Sequence, residues 1–158
     1  MILSPSRVTL RKLTQPCGTR QSMRSIVLDT NAYVAFKRGE DNIVAVIQRC
    51  PDLLICATVL GELLAGFAAG TREARNREEL SLFMQSPRVR TVVCGETTAD
   101  SYALVFAALR RKGRPIPTND LWIAASALEH GAGLLTLDIH FAEIDGLRRG
   151  QQPADFLP

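Results

Sequence analysis

The sequence predicts an α/β fold, a mostly parallel sheet covered on both faces by helices. Three observations carry that prediction. Short apolar runs alternate along the chain with longer helix-like segments, the pattern of strands joined by helical crossovers. Two of the runs, Ile26-Val-Leu and Leu134-Leu-Thr-Leu, end directly on an aspartate, as strands do where they open onto a site. The 158 residues, 46% hydrophobic and 22% charged, suffice for one domain with a sizeable core and are too apolar for a disordered chain.

Each element has its own local argument. Residues 25–30 read as a short buried strand, and 31–38 and 41–50 as helices. Residues 53–57 make a second strand. Thr58 stands where it can N-cap a helix over 59–69, which Gly70 ends, and Thr71 where it can cap the next, through about residue 85. Alternation with β-branched residues makes 88–94 a strand. Residues 99–112 are helical, with basic residues in the last turn and Gly113 after it. Pro115-Ile-Pro-Thr-Asn forms a rigid turn into a helix over 120–130, closed by Gly131, and 134–137 is a further strand. There is no internal repeat and no low-complexity segment.

The net charge of +3 belongs to one end of the chain. Residues 1–22 carry Arg7, Arg11, Lys12 and Arg20 and no acid; from Met23 onward 15 Lys/Arg face 16 Asp/Glu. Global charge therefore gives the folded part no argument for binding nucleic acid. Residues 1–24 have no sustained period and no secretory apolar region. They read as a disordered appendage, a basic arm, or residues upstream of the natural start, with Met23 placed where a start is expected; the domain proper is 25–158. No apolar run reaches the roughly 18 residues a membrane span needs. The four cysteines (Cys17, Cys50, Cys56, Cys94) form no C-x-x-C pair, which argues against zinc and for reduced thiols in a cytoplasmic protein.

Four isolated acids then need explaining: Asp29, Glu62, Asp120 and Asp138. Singly, each has a structural reading. Asp29 and Asp138 can cap or turn the chain, Asp120 suits the dipole of a first helical turn, and Glu62 lies off the apolar face of its helix. Together they say more. Two stand at strand C-termini and a third at a helix N-terminus after a crossover, and a parallel sheet puts those points on one edge. Carboxylates gathered there repel one another unless cations sit between them, so Mg²⁺ or Mn²⁺ is the natural partner. Such a metal site activates water and relieves charge on a phosphodiester. His130 and His140 flank the acids rather than join them.

Other chemistries fit less well. There is no G-x-S-x-G elbow and no G-x-x-x-x-G-K-[ST] phosphate loop. A haloacid-dehalogenase-type phosphatase needs an acid two positions beyond Asp29, where this chain has Asn31.

The segments LDTNAY around Asp29, GELLAG around Glu62, PTNDLWIAASAL around Asp120 and LLTLDIHF around Asp138 resemble the PIN domain, and most of all the toxin nucleases of VapBC-type toxin–antitoxin pairs. The resemblance runs from about Ile26 to Leu147. It implies a three-layer α/β/α sandwich, Mg²⁺- or Mn²⁺-dependent endoribonuclease activity on an RNA substrate, a cognate antitoxin whose C-terminal segment obstructs the acidic pocket, and a homodimer. Carried onto this chain, Asp29, Asp120 and Asp138 hold metal, Glu62 completes the acidic set, and Asn31 and Thr136 orient carboxylate or water. The chain departs from the family in its N-terminal extension.

Around this core the readings are open. Arg110, Arg111, Lys112 and Arg114 either complement a helix C-terminus or contact RNA, with Arg148-Arg149 a weaker second cluster. Trp122 either packs or stacks a base. Gly61, Ala65, Gly66, Ala68 and Ala69 either allow another chain to approach or pack internally. Two further functions compete with the toxin nuclease: a non-catalytic RNA- or partner-binding module, and a housekeeping RNA-processing nuclease.

Overall fold

A computed structural model describes residues 23–157. Its centre is a five-stranded sheet in the order β3-β2-β1-β4-β5, and every pairing is parallel. The strands are β1 (Ile26–Leu28), β2 (Leu53–Cys56), β3 (Val89–Val92), β4 (Gly133–Leu135) and β5 (Arg149–Gly150). Helices α1 (Thr30–Arg38) and α2 (Asp41–Arg49) follow β1, and α3 (Ala57–Ala68) and α4 (Glu73–Met84) follow β2. Between β3 and β4 run α5 (Glu96–Lys112) and α6 (Thr118–Glu129), and 3₁₀ turns occupy Ile139–Glu143 and Pro153–Phe156.

Every residue of β1, β2 and β4 is buried, which requires cover on both faces and yields the three-layer α/β/α arrangement. The edge strands differ: β3 alternates buried and exposed, and β5 has only two residues. The chain grows from β1 through β2 to β3 on one side, then crosses to β4 on the other. The β1/β4 pair is therefore the point where strand order reverses, the usual place for a crevice at the carboxyl edge of a parallel sheet.

Several boundaries move from their sequence positions for local reasons. The first strand stops at Leu28 because Asp29 already caps α1, its side chain accepting the Thr30 N–H. Extended Cys56, not Thr58, precedes α3, and Arg72, not Thr71, precedes α4; neither makes a side-chain cap. Helix α5 starts three residues before its apolar period because the Thr98 hydroxyl accepts the Gly95 N–H at 2.9 Å. The strand expected over 88–94 shortens to Val89–Val92, and Arg88 instead donates to the Ile47 carbonyl at 3.1 Å and to that of Cys50, closing the end of α2. Helix α6 begins at Thr118, leaving Asp120 in its first turn. The last predicted strand ends at Leu135, and β5 has no counterpart among the predicted elements.

Two glycines are required by geometry. Gly113 ends α5 at φ 67°, the left-handed region. At Gly150 a Cβ would stand 2.2 Å from that of Asp155, so only glycine lets the C-terminal 3₁₀ turn close on β5. The small residues of α3 (Gly61, Ala65, Gly66, Ala68) and the adjoining Ala69 are all exposed, which removes internal packing as their explanation. Trp122 packs, its ring 4.4 Å from that of Tyr102 on α5. Met23 is buried in the core, while residues 1–22, and with them the expectations about the extension, lie outside the described residues. No helix among the described residues is long and apolar enough to cross a membrane.

Candidate active site

The two central strands β1 and β4 deliver the first contacts. Asp29 follows β1 directly and is 4% exposed. One carboxylate oxygen accepts the Thr30 N–H at 2.7 Å, and the other accepts the Thr136 hydroxyl at 2.6 Å. Thr136 is fully buried one residue past β4; its oxygen also accepts the Asp138 N–H at 3.0 Å. Asn31 takes the Leu137 N–H on its side-chain oxygen at 2.9 Å, so it latches the start of α1 to the segment leaving β4 rather than capping its own helix. Asn31 and Thr136 are thus brought together with Asp29 and the segment that carries Asp138.

Asp138 then caps the 3₁₀ turn, accepting the His140 N–H at 2.8 Å. Asp120 reaches the same space from the first turn of α6, with a carboxylate oxygen within 4.8 Å of one on Asp138. Burial, followed by the nearby Asp138, Asp29 and Glu62 carboxylates, pushes its pKa up to about 6, and His140 pulls the other way. Asp29 is also raised, by burial first; the Thr136 and Thr30 hydrogen bonds oppose this, and the Glu62 and Asp138 charges add to it.

Glu62 is not the exposed surface acid its helical position suggested. It is half-buried, with one oxygen accepting the Thr30 hydroxyl and the other the Asn119 amide at 2.7 Å. Sequence reasoning missed Thr30 and Asn119 as holders of Glu62. The available signal was their position, each beside an acid within a recognised motif. It also set His140 aside, yet His140 Nδ1 lies 3.0 Å from Asp138 Oδ1.

What these acids lack is as telling as what they have. Asp52, before β2 at the opposite edge of the sheet, is paired with Arg90 through contacts of 2.8 and 3.0 Å, which draw its pKa down. Among the described residues no Lys or Arg forms an ion pair with Asp29, Glu62, Asp120 or Asp138. Gathered carboxylates without a counter-charge, presenting oxygen donors with unused lone pairs, fit a hard divalent cation.

The basic cluster is divided by its contacts. Lys112 is tied to the Asp145 carboxylate at 2.6 Å and to the Glu143 carbonyl at 2.9 Å, fastening α5 to the turn after Asp138. Arg110, Arg111 and Arg114 are exposed. Arg110 also walls a shallow, largely apolar pocket of about 280 Å³ that includes Leu121, next to Asp120.

Known proteins are similar to this chain in sequence and in fold. Ribonuclease VapC5 of Mycobacterium tuberculosis (strain ATCC 25618 / H37Rv) is 31% identical over 121 residues, 76% of this chain and 87% of the relative. The crystal structure of VapBC2 from Rickettsia felis, bound to a DNA fragment from their promoter, superposes with a TM-score of 0.73 at 26% identity, covering 80% of this chain and 97% of that one. VapBC-5 of Mycobacterium tuberculosis, a member of the VapBC family of toxin–antitoxin systems, superposes at 0.62 and 26% identity over 80% of this chain and 96% of that one. Residues 26–147 match the PIN domain, and that span holds β1 to β4 and all four acids; with its parallel sheet and acidic crevice, this chain belongs to the PIN domain family.

Proposed function

We propose that this protein is a metal-dependent endoribonuclease, the toxin of a toxin–antitoxin pair acting in the cytoplasm. One observation carries the reading: four acids from four separate segments converge on the β1/β4 crevice, and among the described residues no Lys or Arg pairs with them. The VapC ribonucleases at about this level of identity and the VapBC complexes of the same fold support it.

Asp29, Asp120 and Asp138 would hold Mg²⁺ or Mn²⁺, with Glu62 completing the set. Such an ion would lower the pKa of a bound water, orient it, and offset charge on the phosphate and leaving oxygen. The chain's own residues do the rest. Thr136 fixes the orientation of Asp29 and keeps one of its oxygens satisfied while it is buried. Asn119 and Thr30 hold Glu62 from two sides, so its charge is presented without side-chain search. Asp120, raised to about 6 by burial and its carboxylate neighbours, would be held ionised by a bound cation that offsets their charge. Arg110, Arg111 and Arg114 supply phosphate contacts, and a cognate antitoxin restrains the enzyme.

The test is cleavage of total cellular RNA by the full chain, purified free of any partner, in Mg²⁺, Mn²⁺ or EDTA, with Asp120→Asn as control. Discrete cuts that require metal and disappear in the folded variant are expected. Cutting that survives both EDTA and Asp120→Asn would overturn the assignment.

A further inference from the structure

Asp120, Asp138 and His140 form a set whose donor atoms all lie within 4.8 Å of one another. The histidine's position is built rather than incidental. Phe141, 1% exposed, anchors the 3₁₀ turn in the core, and Asp138 fixes the backbone of His140 by accepting its N–H at 2.8 Å. The imidazole itself is 57% exposed and stands with Nδ1 3.0 Å from Asp138 Oδ1. One donor atom from each of the three residues is thus near enough to the other two for a single ion to be shared among them.

We propose that His140 is a nitrogen ligand of the metal site, alongside Asp120 and Asp138, and that it biases the site toward Mn²⁺ over Mg²⁺. This rests on the metal-dependent reading above. A neutral imidazole adds a donor to a crevice already crowded with carboxylates without adding negative charge. Mg²⁺ favours oxygen ligands, whereas imidazole suits transition ions, whose affinity rises from Mn²⁺ onward. The same contact leaves a different role open to experiment, in which His140 only donates a hydrogen bond that orients Asp138. That role would affect both ions alike.

The experiment titrates metal-free full chain with Mn²⁺ and with Mg²⁺ by calorimetry, for the wild type and His140→Gln. Pulsed electron paramagnetic resonance of the Mn²⁺-loaded proteins then looks for imidazole nitrogen coupling. The expected result is nitrogen coupling in the wild type that vanishes in the variant, with the Mn²⁺ Kd raised about tenfold and the Mg²⁺ Kd little changed. The side chain's exposure makes loss of folding an implausible source of the effect, and the melting temperature of the variant checks this. Absence of nitrogen coupling in wild-type protein that binds Mn²⁺ overturns the proposal while leaving the metal site intact. An equal fall in affinity for both ions also overturns it, in favour of the orienting role. Failure of the wild type to bind either ion overturns the metal-dependent reading and this proposal with it.

Discussion

The Thr136 hydroxyl donates to Asp29 Oδ2 at 2.6 Å across 107 residues of chain, joining the ends of the two central strands. Its single hydrogen is spent there, and its oxygen receives the Asp138 N–H, so one hydroxyl positions two of the acids. Thr136→Val keeps the shape and removes both hydrogen bonds. We expect a loss of about 1–3 kcal/mol in urea unfolding, with Thr136→Ser recovering most of it. Unchanged stability in Thr136→Val would mean that the bond is not holding the crevice together.

Mutual repulsion in the crevice predicts an unusual mutant. Asp120→Asn removes a charge that Asp138, Asp29 and Glu62 all oppose. The metal-free variant should therefore melt a few degrees above metal-free wild type, yet gain little from added Mg²⁺ or Mn²⁺. Scanning calorimetry with and without metal measures both. A lower melting temperature without metal would contradict the repulsion.

The same charges set a pH dependence. Asp120 is raised from 3.8 to about 6 and Asp29 is raised too, so the folded state binds these protons more tightly than the unfolded chain. Their contribution to stability is complete below the ordinary carboxylate range and is lost as pH rises through the folded values. Metal-free protein should lose stability between about pH 4 and 7, and saturating divalent cation should abolish the trend. Asp52, drawn down by Arg90, has the opposite sign and weakens the fold only as acid protonates it. Melting curves across this range, in EDTA and in excess metal, decide the matter.

Asn119 acts through Glu62, whose carboxylate its amide holds, so it is a positioning residue. Asn119→Ala should fold normally and lower kcat by about tenfold, the scale seen when an outer partner of a ligand is removed. KM for RNA should hardly move. A rise in KM with kcat preserved would assign Asn119 to substrate binding instead.

Within the basic cluster, the ion pair with Asp145 separates Lys112 from its neighbours. In an Asp120→Asn background, chosen to prevent cleavage, Arg111→Ala and Arg114→Ala should each weaken RNA binding and make it less sensitive to salt, lowering the slope by about one for each phosphate no longer engaged. Lys112→Ala should leave RNA binding nearly unchanged and alter stability by no more than about 1 kcal/mol, as an exposed ion pair does. Filter binding over a salt series distinguishes them; equal weakening at all three positions would return Lys112 to the RNA surface.

Local pattern determined most of the fold and where Asp29 and Asp138 fall in it. Ile26-Val-Leu and Leu134-Leu are apolar on both faces, so their strands belong in a covered parallel sheet, and the aspartates that follow them fall at its carboxyl edge. The helix over 120–130 and the cap at Gly113 were likewise legible, because periodicity and turn chemistry act over a few residues. The limits of the elements were less so. Thr98 starts α5 by reaching back to Gly95, and β5 is two residues whose strand character exists only beside β4.

Relations between distant residues were decided by tertiary structure alone. Glu62 looked like a surface acid until Thr30 and Asn119 were brought to its two oxygens, and His140 looked peripheral until the anchored turn set it against Asp138. Lys112 and its arginine neighbours are equivalent in sequence and become distinct only when Asp145 arrives beside one of them. Sequence patterning reports what each segment buries. Which side chains meet, and therefore which charges are offset and which stand without a paired cation, depends on chain crossings that place residues a hundred positions apart within a hydrogen bond.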